Sequence, residues 1–157
     1  MAAEGLFVLD TILLLLCVIV ARIDRKRGII PDWCNALIAL LGLAWSLLAG
    51  CDIVRSLTDA GLVFAFFLLL RFLYHRLRGH NGLGLGDVKF LAAATMRTGF
   101  SDLHLLVFAA CLFGLLEIAI RRLWGERITP RSVLRFGPHL ALGFAIVVVL
   151  QAIGILD

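Results

Sequence analysis

Two aspartates, Asp24 and Asp87, are the residues of this sequence whose type and position best suit chemistry. Asp24 lies at the basic end of the first long apolar run, and Asp87 ends the segment Gly84-Leu85-Gly86-Asp87. A carboxylate beside hydrocarbon is costly and as a rule serves a function. Two carboxyls held close together tend to share one proton. The ionised one can then take a proton from water while the other donates to a carbonyl oxygen, which predicts peptide-bond hydrolysis.

Each aspartate by itself has a simpler explanation. Asp24 is followed by Arg25, Lys26 and Arg27, so it also fits a solvated charge balanced by basic neighbours. Asp87 precedes an apolar helix, where the free N–H groups and the helix dipole favour a carboxylate, so it also fits a plain N-cap. The catalytic interpretation depends on both residues lying at the same face of the membrane.

The glycines before Asp87 form a predicted active-site loop. Gly82, Gly84 and Gly86 permit positive φ angles and let a substrate backbone approach closely, and we assign Gly84 and Gly86 to this loop. A nucleotide-binding loop is not indicated, because no strand precedes the glycines and no G-x-x-x-x-G-K-[ST] pattern occurs.

Two further residues complete the predicted loop and substrate contacts, Lys89 and Pro31. Lys89 lies two residues beyond Asp87 on another side of the helix, so we expect it to reach lipid headgroups rather than to act in catalysis. Gly28 and Pro31 prevent the first helix from continuing, and Asp32 is placed to cap the next one.

The elements that must position these residues are membrane helices. The chain has 157 residues and a mean hydropathy of +1.03. Its hydrophobic fraction, 62%, is well above that of a soluble domain. Long apolar runs without period-two alternation predict an all-α bundle of about six transmembrane helices forming a single integral-membrane domain over 1–157. The fourth run is the shortest and carries charges, so whether it spans is open. The runs are Leu6–Ile23, Trp33–Gly50, Asp59–Tyr74, Val88–Gly99, Leu103–Ile120 and Pro138–Leu156.

The distribution of basic residues predicts the orientation. Of the 15 Lys and Arg residues, all except Arg55 and Arg97 fall in or beside the first, third and fifth connections. The positive-inside rule places these connections in the cytoplasm and both termini outside. Asp24 and Asp87 then lie at the same, cytoplasmic, boundary.

Composition excludes several other functions. The net charge of +4 is explained by topology and contact with anionic lipid, and no basic patch alternates with aromatic residues, so we expect no nucleic-acid partner. The four cysteines form no C-x-x-C pair and have no His at ligand spacing, so we expect no metal site, no disulfide and no cofactor.

The remaining polar residues in the runs have individual explanations. Glu117 precedes Arg121 by four residues, a spacing that predicts an ion pair on one helix. His104 and His139 are interpreted as isolated helix-end residues, and Asp10 has no partner that the sequence identifies.

Three motifs in order resemble those of the type IV prepilin peptidases, membrane aspartic proteases with a G-x-G-D motif. The first is Asp24 ahead of Ile30-Pro31, and the second is Gly84-x-Gly86-Asp87-x-Lys89. The third is Phe136-Gly137-Pro138 before the last helix, and together the motifs span most of the chain.

The resemblance implies an aspartic endopeptidase with Asp24 and Asp87 as the catalytic pair. It implies cleavage of the short basic leader of prepilins or pseudopilins, after a glycine and before a hydrophobic helix, in the cytoplasmic (inner) membrane. Longer members carry an N-terminal extension with paired cysteines and also methylate the product. The first run begins almost at Met1, so a short form without methyltransferase activity is expected.

Two alternatives from other classes remain open at this point. A small transporter could use Asp24, Asp87 and Glu117 as a proton relay, although both motif acids lie at one face rather than near the midplane. A catalytically silent assembly subunit is the other alternative. The sequence leaves open whether the chain forms a homo-oligomer and which prepilin-like protein it would cut.

Overall fold

A computed structural model describes residues 2–79, 82–125 and 135–156 and contains six α-helices in these segments. The described residues include no β-strand, which confirms the predicted all-α class and the number of helices. Arg127 and Arg131, which the sequence analysis counts among the basic residues of the fifth connection, lie outside the described segments. The helices are α1 (Ala2–Arg27), α2 (Asp32–Leu48), α3 (Ile53–Arg78), α4 (Leu85–Thr98), α5 (Leu103–Leu123) and α6 (Gly137–Ala152).

Three of the helices, α1, α3 and α5, are long and apolar enough to cross a membrane. α2 and α6 are also apolar but shorter, with 17 and 16 residues. Large apolar side chains are exposed along the outer faces of the long helices, for example Phe66 at 57% and Leu115 at 64%. Apolar surface on this scale requires hydrocarbon around it, so the chain is a membrane protein.

The short helix α4 lies in the interior of the bundle. It has 14 residues and is about 21 Å long, less than the roughly 30 Å of a hydrocarbon core. It packs against α2, α3 and α6, and its Phe90 ring meets Phe144 of α6 edge to face at 5.8 Å. The fourth apolar run is therefore an internal helix with Asp87 in its first turn. Its buried residues are Val88, Phe90, Leu91, Ala93, Ala94, Thr95, Arg97 and Thr98.

The end of α1 is set by Gly28, as the sequence predicts. Gly28 has a φ of +68°, and its N–H donates to the Asp24 carbonyl at 2.8 Å, which is a glycine C-terminal stop. The predicted cap of α2 is wrong in detail. Pro31 occupies the N-cap position and no side chain caps the helix, because the Asp32 carboxylate pairs with Lys89 instead.

Small residues allow close helix contacts. A Cβ at Gly143 would lie 2.6 Å from the Leu106 carbonyl oxygen, so α6 approaches α5 as closely as a glycine permits. A Cβ at Gly42 would lie 3.0 Å from the Arg97 backbone nitrogen, so α2 approaches α4 similarly. Membrane helices gain van der Waals contact in this way, without a hydrophobic driving force between them.

Candidate active site

Asp24 lies in the last turn of α1 and is buried, with 5% of its surface exposed. Its Oδ2 accepts a hydrogen bond of 3.2 Å from the N–H of Gly137, the first residue of α6. A carboxylate at the end of its own helix faces the unfavourable end of the dipole, whereas the N-terminus of α6 offers free N–H groups and positive potential. α6 therefore supplies the electrostatic support that α1 cannot.

Asp87 lies in the first turn of α4, at the third helical position rather than at the predicted N-cap. Gly84 is the N-cap residue, and its N–H donates back to the Asp87 carboxylate. This is the return half of a capping box, in which the third residue bonds the N-cap N–H. Asp87 thus satisfies one of the otherwise unpaired donors at the start of α4.

The glycines of the predicted loop act through close approach and not through positive φ. None of the three glycines, Gly82, Gly84 and Gly86, has a positive φ, and the φ of Gly84 is −66°. A Cβ at Gly84 would lie 2.8 Å from Asp87 Oδ2, and one at Gly86 would lie 3.2 Å from Ile30 Cβ. A side chain at position 84 would displace the carboxylate, and one at position 86 would push the α1–α2 connection away.

Both aspartates line one open cavity of about 760 Å³ at the end of the bundle where α1 stops and α4 begins. The cavity also contains the predicted loop residues Gly84, Gly86 and Lys89, whereas Pro31 does not line it. Its lining residues are Asp24, Gly28, Ile29, Ile30, Asp32, Gly82, Leu83, Gly84, Leu85, Gly86, Asp87, Lys89, Arg135 and Phe136.

The two carboxyls influence each other electrostatically. Burial raises the pKa of the Asp87 carboxyl to about 6, with the negative charge of Asp24 acting in the same direction and the Gly84 N–H acting against it. Because the charge of Asp24 contributes to this shift, the two carboxyls are coupled and tend to share one proton. The pair can therefore present one carboxylate and one carboxylic acid, which general acid–base hydrolysis requires.

Polar contacts from α2 and α3 fix the Asp87 segment. Lys89 Nζ lies 2.7 Å from Asp32 Oδ1, and Asn35 Nδ2 donates to the Gly86 carbonyl at 3.4 Å. Arg71 of α3 donates to the Leu83 carbonyl. Lys89 therefore joins α4 to the start of α2 at the cavity mouth, a partner that differs from the lipid headgroups expected from the sequence.

Sequence reasoning missed Gly137 as a site residue, although it noted the Phe-Gly-Pro motif. A Cβ at position 137 would lie 2.7 Å from Asp24 Cγ, so only glycine lets α6 begin against this carboxylate. The signal available in the sequence was the Gly-Pro pair at the start of an apolar run. Proline is favoured in the first turn of a helix, so this pair indicates where α6 begins. Arg135 and Phe136, just before Gly137, also line the cavity.

The other polar residues occupy separate places. The predicted Glu117–Arg121 ion pair is present, but His139 is not isolated, since it is buried with Nε2 2.9 Å from Glu117 Oε2. His104 is a helix-end residue on the surface. Asp10 has a partner that the sequence did not identify, Arg97.

Cysteines and metal ligands show no clustering in the described segments. Cys17 and Cys34 are buried, Cys51 and Cys111 are exposed, and all four are free thiols. No three His, Cys, Asp or Glu side chains of the described segments come together in a way that could hold a metal ion.

The fold and the cavity define a helical membrane protein with a paired-carboxyl site at one end of its bundle. Residues 11–118 match the model of the type IV leader peptidase family, and the chain belongs to this family.

Relatives of known name support the same assignment. Leader peptidase HopD of Escherichia coli is 33% identical over 125 residues, which cover 78% of this chain and 81% of that protein. A prepilin leader peptidase/N-methyltransferase of Pectobacterium carotovorum subsp. carotovorum is 36% identical over 147 residues, covering 91% of this chain and 50% of that protein. The corresponding protein of Neisseria gonorrhoeae is 29% identical, covering 76% and 41%. The chain thus spans half or less of these two bifunctional relatives. No solved structure gives a significant match.

Proposed function

We propose that this chain is a membrane aspartic endopeptidase that removes the basic leader of type IV prepilin-like or pseudopilin substrates, with Asp24 and Asp87 as the catalytic pair. The observation that carries the proposal is that both carboxyls line the same cavity. Each carboxyl there accepts a hydrogen bond from an N–H at the start of a helix, Gly137 for Asp24 and Gly84 for Asp87. The family membership and the names of the relatives point to the same reaction.

The two carboxyls have different roles in the proposed reaction. Asp24, supported by the Gly137 N–H, is the ionised base, and Asp87, with its raised pKa, is the acid. Asp24 takes a proton from the attacking water as the oxygen bonds to the carbonyl carbon. Asp87 gives its proton to the carbonyl oxygen, which forms a tetrahedral diol.

Collapse of the diol restores both residues. The proton on Asp24 passes to the leaving amide nitrogen while the C–N bond breaks. A diol hydroxyl returns its proton to Asp87, and the diol becomes the new carboxyl group. No covalent enzyme intermediate is required, so neither a serine nor a cysteine nucleophile enters the scheme.

The proposed location is the cytoplasmic face of the inner membrane, within one integral-membrane peptidase domain covering 1–157 and with both termini outside. The basic connections support this orientation, because α1 ends and α4 begins at the end that carries them.

The test is cleavage of a prepilin-like substrate by the purified full-length protein in liposomes, with both products identified by mass spectrometry. The proposal expects a single cut that releases the leader and a free amino terminus on the mature chain. An intact substrate across prepilin and pseudopilin classes would contradict the proposal. In that case, a proton flux across the membrane of the same liposomes would support the transporter alternative.

A further inference from the structure

A second buried polar cluster lies at the opposite end of the bundle from the cavity. Arg97 of α4 is 3% exposed, and its guanidinium makes a two-pronged ion pair with Asp10 of α1. Arg97 Nε donates to Asp10 Oδ1 at 2.8 Å, and Nη2 donates to Oδ2 at 3.0 Å. The Trp45 ring of α2 covers the guanidinium at 3.7 Å. Such a pair fixes geometry as well as charge, because both groups are planar forks.

The cluster also includes the end of α6. Arg97 Nη1 donates to Gln151 Oε1 at 2.6 Å. The Gln151 amide donates in turn to the Thr98 carbonyl at 3.0 Å and to Asp102 Oδ2 at 2.6 Å. Every nitrogen of the guanidinium therefore has a hydrogen-bond partner, which is what a buried charge requires. We call Asp10, Arg97 and Gln151 the polar clamp.

The polar clamp joins two helices whose backbones do not approach each other closely. Among the described residues, no Cα atom of α1 lies within 8 Å of a Cα atom of α4, and both helices pack on α2 and α6. These are the helices that carry Asp24 and Asp87. The Asp10–Arg97 pair is thus a direct connection between the supports of the two carboxyls.

A small rotation of one helix about the clamp would produce a large displacement of the side chains at the cavity. Asp24 lies 14 residues beyond Asp10, about 21 Å along α1, and Asp87 lies 10 residues from Arg97, about 15 Å along α4. A change of about 10° between the helices, pivoting at the clamp, would displace a carboxyl by roughly 3–4 Å. Displacements of about 1 Å already reduce rates about a hundredfold when reacting groups are misplaced.

We propose that Asp10 and Arg97 are positioning residues, which fix the angle between α1 and α4 and thereby the separation of Asp24 and Asp87. The kinetic part of this inference rests on the proposed peptidase function, whereas its structural part does not. Replacing both partners of a buried ion pair by apolar residues often keeps the fold, whereas removing one partner leaves an uncompensated buried charge. That property provides the test.

The test compares single and double apolar variants. Asp10→Leu and Arg97→Met each leave one buried charge without its partner, so both are expected to lower the Tm. The double variant D10L/R97M removes both charges and is expected to recover most of the wild-type Tm. Arg55→Met is the matched control, because Arg55 is an exposed arginine at the start of α3 on the α2–α3 connection side.

Two readouts then separate positioning from stability. Spin labels at Arg27 and Leu85, with exposed Cys51 and Cys111 replaced by alanine, report the distance between the end of α1 and the start of α4. We expect a narrow distance distribution in the wild type and in R55M, and a broad or shifted one in D10L/R97M. Since this measurement needs no catalysis, it decides the inference even if the protein cleaves no prepilin.

The kinetic readout is whether the variant changes kcat or KM. In unlabelled proteins D10L/R97M should lower kcat at least about tenfold with KM little changed, since the cavity walls remain but the carboxyls lose their alignment. Arg97→Lys keeps the positive charge but not the planar, two-pronged hydrogen bonding, so its kcat should lie between those of the wild type and D10L/R97M. A double variant with the wild-type distance distribution would overturn the inference, whatever its kcat, and would leave the pair with a role in stability only.

Discussion

At the scale of single residues, the two carboxyls differ in how their helices support them. Asp87 sits at the favourable end of its own helix and bonds the Gly84 N–H. Asp24 sits at the unfavourable end of α1 and depends on Gly137 of α6. One carboxyl is thus supported locally and the other only by tertiary contact. The helix dipole by itself favours ionised Asp87 and disfavours ionised Asp24, so the proposed acid role of Asp87 rests instead on burial, which raises its pKa in spite of this support.

The pH dependence of stability tests the environment of Asp87. Its pKa rises from 3.8 to about 6 on folding, so ionisation opposes the folded state, and stability falls as pH rises from about 4 to about 6. Asp87→Asn keeps an acceptor for the Gly84 N–H but carries no charge. We expect this variant to be more stable by about 1–3 kcal/mol above pH 6, with the gain vanishing towards pH 4. Thermal unfolding in detergent at several pH values measures it, and a gain independent of pH would contradict the assignment.

Gly137 provides a second test at this scale. Gly137→Ala places a methyl group 2.7 Å from Asp24 Cγ, so the carboxylate must move away from its donor. We expect cleavage to fall about tenfold to a hundredfold, at a cost in stability of about 1–3 kcal/mol. Gly61→Ala is the matched control, because a Cβ at this α3 position meets nothing within 4 Å. Cleavage by G137A at the rate of G61A would show that Asp24 does not need this contact.

The sequence predicted that both aspartates lie at helix ends, because residue type and position relative to an apolar run are local properties. It placed Asp87 at the N-cap, three positions before the third helical position that this residue occupies. It also gave Gly84 and Gly86 a reason, positive φ, that the structure does not support. Gly137 could not be assigned, since its role is a contact across 113 residues of chain. Lys89 was given lipid as its partner because its actual partner, Asp32, lies 57 residues away.

At the scale of helices, the decisive feature is that the short helix α4 lies inside the bundle. Its length is too small for an independent span, yet eight of its residues are buried by α2, α3, α5 and α6. The apolar periodicity predicted the helix and its approximate place. It did not predict which helices surround it, because runs that are apolar on all sides carry no information about which face is covered by protein and which by lipid.

Close packing of α5 on α6 is a testable property of the helices. Gly143→Ala directs a methyl group to within 2.6 Å of the Leu106 carbonyl oxygen, and helix backbone cannot yield as a side chain does. We expect a loss of about 1–3 kcal/mol in unfolding free energy, measured by thermal unfolding. Gly5→Ala, where the nearest atom is a Leu48 side-chain carbon at 3.7 Å, should change stability little. Equal stability of the two variants would mean that α5 and α6 are not in tight contact.

At the scale of the whole molecule, charge distribution and site position agree. The end of the bundle that carries the cavity is the end expected in the cytoplasm, and the polar clamp lies at the other end. Arg97, one of two arginines that break the basic pattern, is buried with Asp10 and so need not face the outer solution at all. The sequence showed that Arg97 is an exception to the basic pattern, but it could not identify Asp10 as its partner, since the two residues are 87 positions apart.

Labelling of cysteines in intact cells tests the orientation. Cys51 is exposed in the α2–α3 connection and Arg27 ends α1. In the proposed orientation Cys51 lies outside and Arg27 lies in the cytoplasm. We expect a membrane-impermeant maleimide to label Cys51 in spheroplasts without permeabilisation. A cysteine at position 27, introduced by Arg27→Cys together with Cys51→Ala, should be labelled only after permeabilisation. The reverse pattern would place the cavity outside and contradict the proposed site of cleavage.

The most direct test of the central claim is single-turnover cleavage of a prepilin-like substrate by Asp24→Asn and Asp87→Asn in liposomes. Asp52→Asn is the control, because Asp52 is an exposed carboxylate that caps α3 and asparagine caps equally well. We expect at least about a thousandfold loss in each dyad variant, with normal insertion and the wild-type rate in D52N. Cleavage near the wild-type rate by either D24N or D87N would contradict the paired-aspartate mechanism.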